Sequence, residues 1–104
     1  MSDSSSQTIR EMIEPKLEQG AKARLASLEQ NNAPASIVKA QVSAIANGDF
    51  SSKVGHIKDF GDCAVSGTEN RKYRRGYGVR FTLTDGRQVD MIPGPYGLFL
   101  ALVD

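Results

Sequence analysis

The chain has 104 residues, a formal net charge of +1 and 39% hydrophobic residues, which suits one domain with a modest core. Its single cysteine, Cys63, excludes an intramolecular disulfide and a zinc site built from cysteine pairs. The beginning, MSDSSSQT, is not a secretory signal, and no apolar run approaches the ~20 residues of a membrane helix. The sequence therefore predicts a cytoplasmic protein that does not contact a membrane.

The first half of the chain predicts a helical hairpin over residues 8–47, after a Ser-rich, disordered start at residues 1–7. Thr8 and Glu11 have the spacing of a capping box. Apolar residues then recur at helical spacing: Ile9, Met12, Ile13, Leu17, Ala21, Leu25 and Leu28. Pro15 either kinks this helix or begins a new one. After a break at residues 31–34, a second stripe leads to a stop at Asn47 and Gly48: Ile37, Val38, Val42 and Ile45.

The second half predicts a small β-sheet over residues 53–103. Residues 54–60 and 63–65 read as strands, residues 67–70 as a turn, and residues 71–84 as the clearest strand. Asp85 and Gly86 predict a hairpin turn into a returning strand at 87–92. After a bend at 93–97, residues 98–103 predict a last strand, with a short helix as the alternative. The expected fold class is α+β: one domain over residues 8–104, with an N-terminal helical hairpin packed on a mainly antiparallel, curved sheet.

One segment concentrates positive charge. Five of the seven basic residues after Lys53 lie between Arg71 and Arg80, where there is no acidic residue. In a single strand, period-two alternation would turn Lys72, Arg74 and Arg80 outward around Gly76 and Gly78, with Tyr77, Val79 and Phe81 in the core. Such a row could grip phosphates, because Arg binds phosphate oxygens in a bidentate way. The alternatives are a solvated face whose charges prevent aggregation, and glycines that only mark a bend.

Other residues are weaker candidates. Tyr73 could stack on a base, and Lys58 and Arg75 could add phosphate contacts. His56, the only histidine, could act as a general acid or base, although a structural or merely exposed role is the alternative. Glu69 is expected to pair with Arg71 rather than act as a base. No phosphate loop, dinucleotide fingerprint or metal-ligand set is present, so no cofactor and no metal are expected.

Short segments in chain order resemble the RelE/ParE superfamily of toxins, especially the small HigB-like killer proteins. The segments are KARL at 22–25, ANGDF at 46–50, IKDFGD at 57–62, ENR at 69–71, GY at 76–77 and RF at 80–81. The resemblance covers residues 21–92. It implies a small curved sheet packed on a helical hairpin, an antitoxin partner, and either RNA cleavage, commonly on the ribosome, or gyrase poisoning.

The resemblance also implies roles for individual residues. Metal-independent RNA cleavage would use Arg71, Arg74 and Arg80 to stabilise the developing phosphorane charge. Lys72, Tyr77 or His56 would serve as general acid or base. Arg71 and Tyr77 are the two that lie directly on the matching motif.

Two hypotheses follow for function, and whether the protein is an enzyme stays open between them. The first is a RelE/ParE-like toxin, a metal-independent RNA endonuclease or translation inhibitor that acts through the basic strand. The alternative is a small non-enzymatic binding or inhibitor protein, phage-type or regulatory, whose target is a nucleic acid or an acidic protein surface. In addition, the helical stripe predicts a surface for a homo-oligomer.

Overall fold

The computed structural model describes residues 6–104, so the disorder predicted for residues 1–5 lies outside the described residues. The backbone carbonyl of Gln7 accepts a hydrogen bond from the amide of Val65 (2.8 Å), which ties the chain to the sheet just before the first helix. In order, the elements are α1 (Ile9–Gln30), α2 (Ala35–Asn47), a 3₁₀ turn (Ser51–Lys53), β1 (Val54–Gly55), α3 (Ile57–Phe60), β2 (Val65–Tyr73), β3 (Gly76–Leu83), β4 (Gln88–Gly94) and β5 (Gly97–Leu102). The predicted α+β class is confirmed.

Both ends of the helical pair are set by local chemistry. The hydroxyl of Thr8 accepts from the amide of Glu11, and the carboxylate of Glu11 accepts from the amide of Thr8, which confirms the capping box. Pro15 lies inside a continuous α1, so the alternative of a new helix beginning there is wrong. Gly48 ends α2 in the left-handed conformation (φ +68°), as the Asn-Gly stop predicts.

Only the first turns of α1 join the main core. Ile9 and Ile13 are buried, whereas α2 contains no buried residue and packs on the second half of α1. There, the side-chain amide of Gln41 donates to the carbonyl of Ala21 (3.1 Å). Ile37 and Val42 of α2 remain nearly half exposed. Self-association through the apolar stripe from Ile9 to Leu28 stays a prediction.

The five strands form one open sheet in the order β1-β5-β4-β3-β2. The pair β1–β5 is parallel and the other pairs are antiparallel, as the expected class requires. One side of the sheet, the core face, meets α1 and carries the buried residues Phe81, Leu83, Val89 and Leu100. Residues 98–102 fall in β5, which excludes a short helix there, and Gly86 (φ +93°) confirms the hairpin turn. No helix among residues 6–104 is long and apolar enough to cross a bilayer.

Three predicted elements are wrong. The strand at 54–60 ends after two residues, because His56 takes a left-handed conformation (φ +65°) and the chain turns into α3. Residues 67–70 lie within β2 instead of forming a turn. Residues 71–84 are not one strand: a turn at Arg74 and Arg75 separates β2 from β3, and Gly76 supplies the positive φ (+143°) that the tight reversal needs.

Candidate nucleic-acid interface

The turn at Arg74 and Arg75 decides which side chains share a face. In the β2–β3 register, Lys72 lies opposite Tyr77, Asn70 opposite Val79 and Thr68 opposite Phe81. Directly opposed residues point to the same side of a sheet. Lys72 is therefore on the core face, at its open end.

Arg71 lies opposite Gly78, which places it with Tyr73 and Arg80 on the other side, the outer face. The predicted outward row of Lys72, Arg74 and Arg80 is thus wrong. The chain reverses inside the predicted strand, so Lys72 and Arg80 lie on opposite faces and Arg74 sits in the turn.

On the outer face, Arg80 is committed to an ion pair. Its Nε and one terminal nitrogen donate to the two carboxylate oxygens of Asp90 at 2.8 and 3.1 Å. The Asp90 side chain is only 9% exposed and that of Arg80 only 20%. A guanidinium whose charge is already neutralised by a carboxylate in this two-pronged geometry attracts a phosphate less than a free one does. Arg80, predicted from the resemblance as a charge stabiliser, is therefore placed as a structural cation.

Tyr73 packs over Gly78 on the same face. A Cβ at Gly78 would lie 2.8 Å from the Tyr73 ring and 2.1 Å from the Met91 carbonyl oxygen, so the ring needs a glycine beneath it. The Tyr73 hydroxyl is buried and makes no hydrogen bond of standard geometry to the described residues. Tyr73 is half-buried, and its ring lies on the sheet rather than free in solvent.

The charges of this cluster are coupled. Burial, followed by the neighbouring Asp90 carboxylate, raises the pKa of Tyr73. Burial alone would raise the pKa of Asp90, but the two hydrogen bonds from Arg80, together with the neighbouring Tyr73 hydroxyl, outweigh it and lower that pKa overall. The hydrogen bond to Asp90 raises the pKa of Arg80. All three shifts favour a permanent ion pair beside a neutral phenol.

At the end of the β2–β3 hairpin the cations are exposed instead of paired with carboxylates. Arg74 and Arg75 occupy the turn, are exposed, and have no ion-pair or hydrogen-bond partner among residues 6–104. Tyr77 is 76% exposed, so the prediction that it belongs to the core is wrong. The ammonium of Lys72 lies 5.9 Å from the centre of the Tyr77 ring, within cation–π range. We call Lys72, Arg74, Arg75 and Tyr77 the basic tip.

Arg71 lies next to this tip but on the outer face. Its guanidinium is 3.6 Å from the Glu69 carboxylate, so the expected Glu69–Arg71 pairing is confirmed. Both side chains are substantially exposed, and a pair of this kind holds its partners weakly. Arg71 can therefore turn from Glu69 to a stronger anion.

His56 and Lys58 lie at the far edge of the sheet from the basic tip. They follow β1, which is four strand spacings from β2, or about 19 Å. Both line a cavity of about 580 Å³ together with Arg10. His56 Nδ1 is 3.2 Å from an Asp59 carboxylate oxygen. The structure does not bring His56 together with Arg71, Tyr77 or Arg80.

The cavity beside His56 has little free positive charge. Arg10 donates to the Ser51 hydroxyl at 2.9 Å and to the Asp62 carboxylate at 3.2 Å. Asp49 and Asp59 also line the cavity. Lys58 is the remaining cation, which gives this edge a much weaker attraction for phosphates than the basic tip has.

Comparisons with protein-family models, with curated proteins and with solved structures found no match to the chain. What the basic tip offers a ligand follows from its own residues. It presents three cations and one exposed aromatic ring at the end of the β2–β3 hairpin. The sequence locates the cations in this segment but assigns them to the wrong faces. Alternation over residues 71–84 as one strand predicts Tyr77 in the core, whereas the RelE/ParE resemblance already names Tyr77 as a site residue.

Proposed function

We propose that the protein binds single-stranded RNA through the basic tip. The observation that carries this proposal is the pair of exposed arginines at the turn, Arg74 and Arg75, which have no ion-pair partner within residues 6–104, beside the exposed ring of Tyr77. Binding to phosphates releases condensed counterions, so each free cation adds affinity. An arginine already paired with a carboxylate, such as Arg80, gains far less.

The aromatic ring favours an unpaired nucleic acid over a merely acidic protein. Bases of a single strand can stack on exposed aromatic side chains, whereas bases in a duplex are already stacked. The Tyr77 ring is 76% exposed, with the Lys72 ammonium 5.9 Å from its centre, so a base that stacks on the ring has a cation beside it for the neighbouring phosphate. We propose RNA rather than DNA because the RelE/ParE resemblance implies an RNA target.

A binding comparison of two matched variants tests this proposal. Arg74→Ser/Arg75→Ser removes two cations from the tip, and Arg24→Ser/Lys39→Ser removes two exposed cations from the helical pair. Fluorescence anisotropy with a short single-stranded RNA should show loss of affinity for the first variant and little change for the second. Equal losses would overturn the tip as the binding site. Displacement by polyglutamate as effective as by unlabelled RNA would point to an acidic protein target instead.

A second candidate is a RelE/ParE-like toxin that cleaves RNA and is held by an antitoxin. Its support is the order of a helical pair followed by antiparallel strands, which is the architecture that the resemblance implies. Arg71 and Tyr77, the two residues on the matching motif, lie in adjacent rows of the β2–β3 pair but on opposite faces of the sheet, which weakens this candidate. With Arg80 paired and His56 distant, the acid–base step would fall to Lys72 or Tyr77.

Tyr77→Phe separates the two candidates because it keeps the ring and removes the hydroxyl. The measurements are growth after induced expression, cleavage of messenger RNA on purified ribosomes, and RNA affinity. Cleavage that disappears in Tyr77→Phe while affinity is retained would establish a catalytic hydroxyl. Wild-type protein that binds RNA, cuts nothing and leaves growth unchanged would overturn the toxin candidate and leave the binding protein.

A further inference from the structure

A groove of about 310 Å³ lies between α1 and the core face of the sheet, next to the basic tip. Its apolar wall includes Met12, Val79, Phe81 and Met91, with Ile13 and Pro15 on the helix side. Met12, Val79 and Met91 are only partly buried, because α1 covers the core face near the start of the helix and leaves the β2–β3 end uncovered. The groove is thus a gap in the domain core that opens to solvent.

The rim of this groove is polar on the sheet side. Thr68 and Asn70 line it, and both are exposed on the edge strand β2. The amide of Asn70 provides donors and an acceptor, and the hydroxyl of Thr68 provides one of each. On the helix side, Lys16 adds a cation, while the Glu11 carboxylate is occupied by the helix cap at 2.9 Å from the Thr8 amide.

The groove and the basic tip form one continuous surface. Thr68, Asn70 and Lys72 are successive same-face residues of β2, and Phe81, Val79 and Tyr77 are their partners on β3. A chain that lies along β2–β3 therefore passes from the Tyr77 ring to the groove in one step of the register. Lys16 adds positive charge on the helix side of the groove, and Lys72 adds it at the tip.

We infer that this groove receives one base of the single-stranded RNA whose neighbouring base stacks on Tyr77. The inference rests on the proposed function and names its second contact. A base has flat apolar faces and a polar edge, which matches a slot with apolar walls and amide and hydroxyl groups at the rim. The phosphates on either side would lie near Lys16 and Lys72, so the charges of the occupant and of the surface are complementary.

An abasic scan of the RNA tests the inference. Replacing one nucleotide at a time by an abasic ribose removes a base and keeps its phosphate. Two neighbouring positions should each lose about tenfold in affinity, which is the range for one stacked base. Tyr77→Ala should abolish the loss at one position, and Thr68→Ala/Asn70→Ala should reduce it at the other. Thr84→Ala changes an exposed threonine in the turn that follows β3 and is the control.

The outcomes distinguish this inference from the proposed function. If tip variants weaken binding but only one abasic position matters and Thr68→Ala/Asn70→Ala binds like the control, the groove is not a base site and the tip remains one. If no oligonucleotide binds in a salt-dependent way, both the groove and the tip are refuted. Circular dichroism of each variant checks that the fold is retained.

Discussion

Arg80 of β3 and Asp90 of β4 are direct neighbours across the sheet, and their side chains make two hydrogen bonds at 2.8 and 3.1 Å. The contact removes one cation from a segment that the sequence marks as uniformly basic. It leaves the positive charge at the end of the hairpin, where the turn holds Arg74 and Arg75. The ion pair belongs to the fold, and the basic tip is free to bind.

The ion pair predicts a pH-dependent stability. The pKa of Asp90 is lowered in the folded protein, so its contribution is present above the unfolded value of about 4 and is lost as the pH falls through the folded value. We expect Asp90→Asn to be less stable than wild type at neutral pH, with the difference shrinking in acid. Urea unfolding at several pH values measures it, with Glu29→Gln as a control at an exposed carboxylate. A difference that does not depend on pH would contradict the pairing.

Alanine substitutions at Gly78 and at Gly20 should change the free energy of unfolding in opposite directions. Gly78→Ala places a methyl group 2.1 Å from the Met91 carbonyl oxygen and against the Tyr73 ring, and should lower the free energy of unfolding by about 1–3 kcal/mol. Gly20→Ala adds a methyl group in open space inside α1 and should raise it by about 0.5–1 kcal/mol. Denaturant unfolding compares the two. A neutral Gly78→Ala would show that Tyr73 does not lie on this position.

Phe81 and Tyr77 are two residues apart on β3 and should behave differently. Phe81 is 2% exposed, and Phe81→Ala should cost about 3–5 kcal/mol of stability. Tyr77→Ala should change stability by less than about 0.5 kcal/mol and should weaken RNA binding by roughly tenfold. Thermal unfolding and anisotropy measure the two effects. A large loss of stability in Tyr77→Ala would contradict the exposed position of this residue and indicate that it packs in the core.

The sequence predicts the helical half of the fold well, because capping residues and terminators act locally. Thr8, Glu11 and Gly48 each perform the role that their position indicates. Pro15 is tolerated inside α1, an outcome that the sequence leaves open. The tertiary contacts of α2 are not encoded in any local signal.

The β half is predicted less well because two arginines occupy the turn between β2 and β3, which sets the faces of both strands. Asp85 and Gly86 are typical turn residues and predict their hairpin. Arg74 and Arg75 are not, so Gly76 is the one residue that indicates the turn between β2 and β3. Because this turn is missed, the faces predicted for the residues before it are reversed. In the structure Lys72 shares a face with Tyr77, and Thr68 and Asn70, predicted in a turn, line the groove. The pairing of Arg80 with Asp90 depends on the register of β4, which alternation alone cannot set.

The salt dependence of RNA affinity tests the central claim most directly. Three cations at the basic tip predict that log K against log salt concentration has a slope of up to about −2 for a single strand, and that Arg74→Ser/Arg75→Ser reduces its magnitude by about 1.4. Arg24→Ser/Lys39→Ser should keep the wild-type slope. A slope near zero in the wild type, or the same slope in both double variants, would contradict RNA binding through the basic tip.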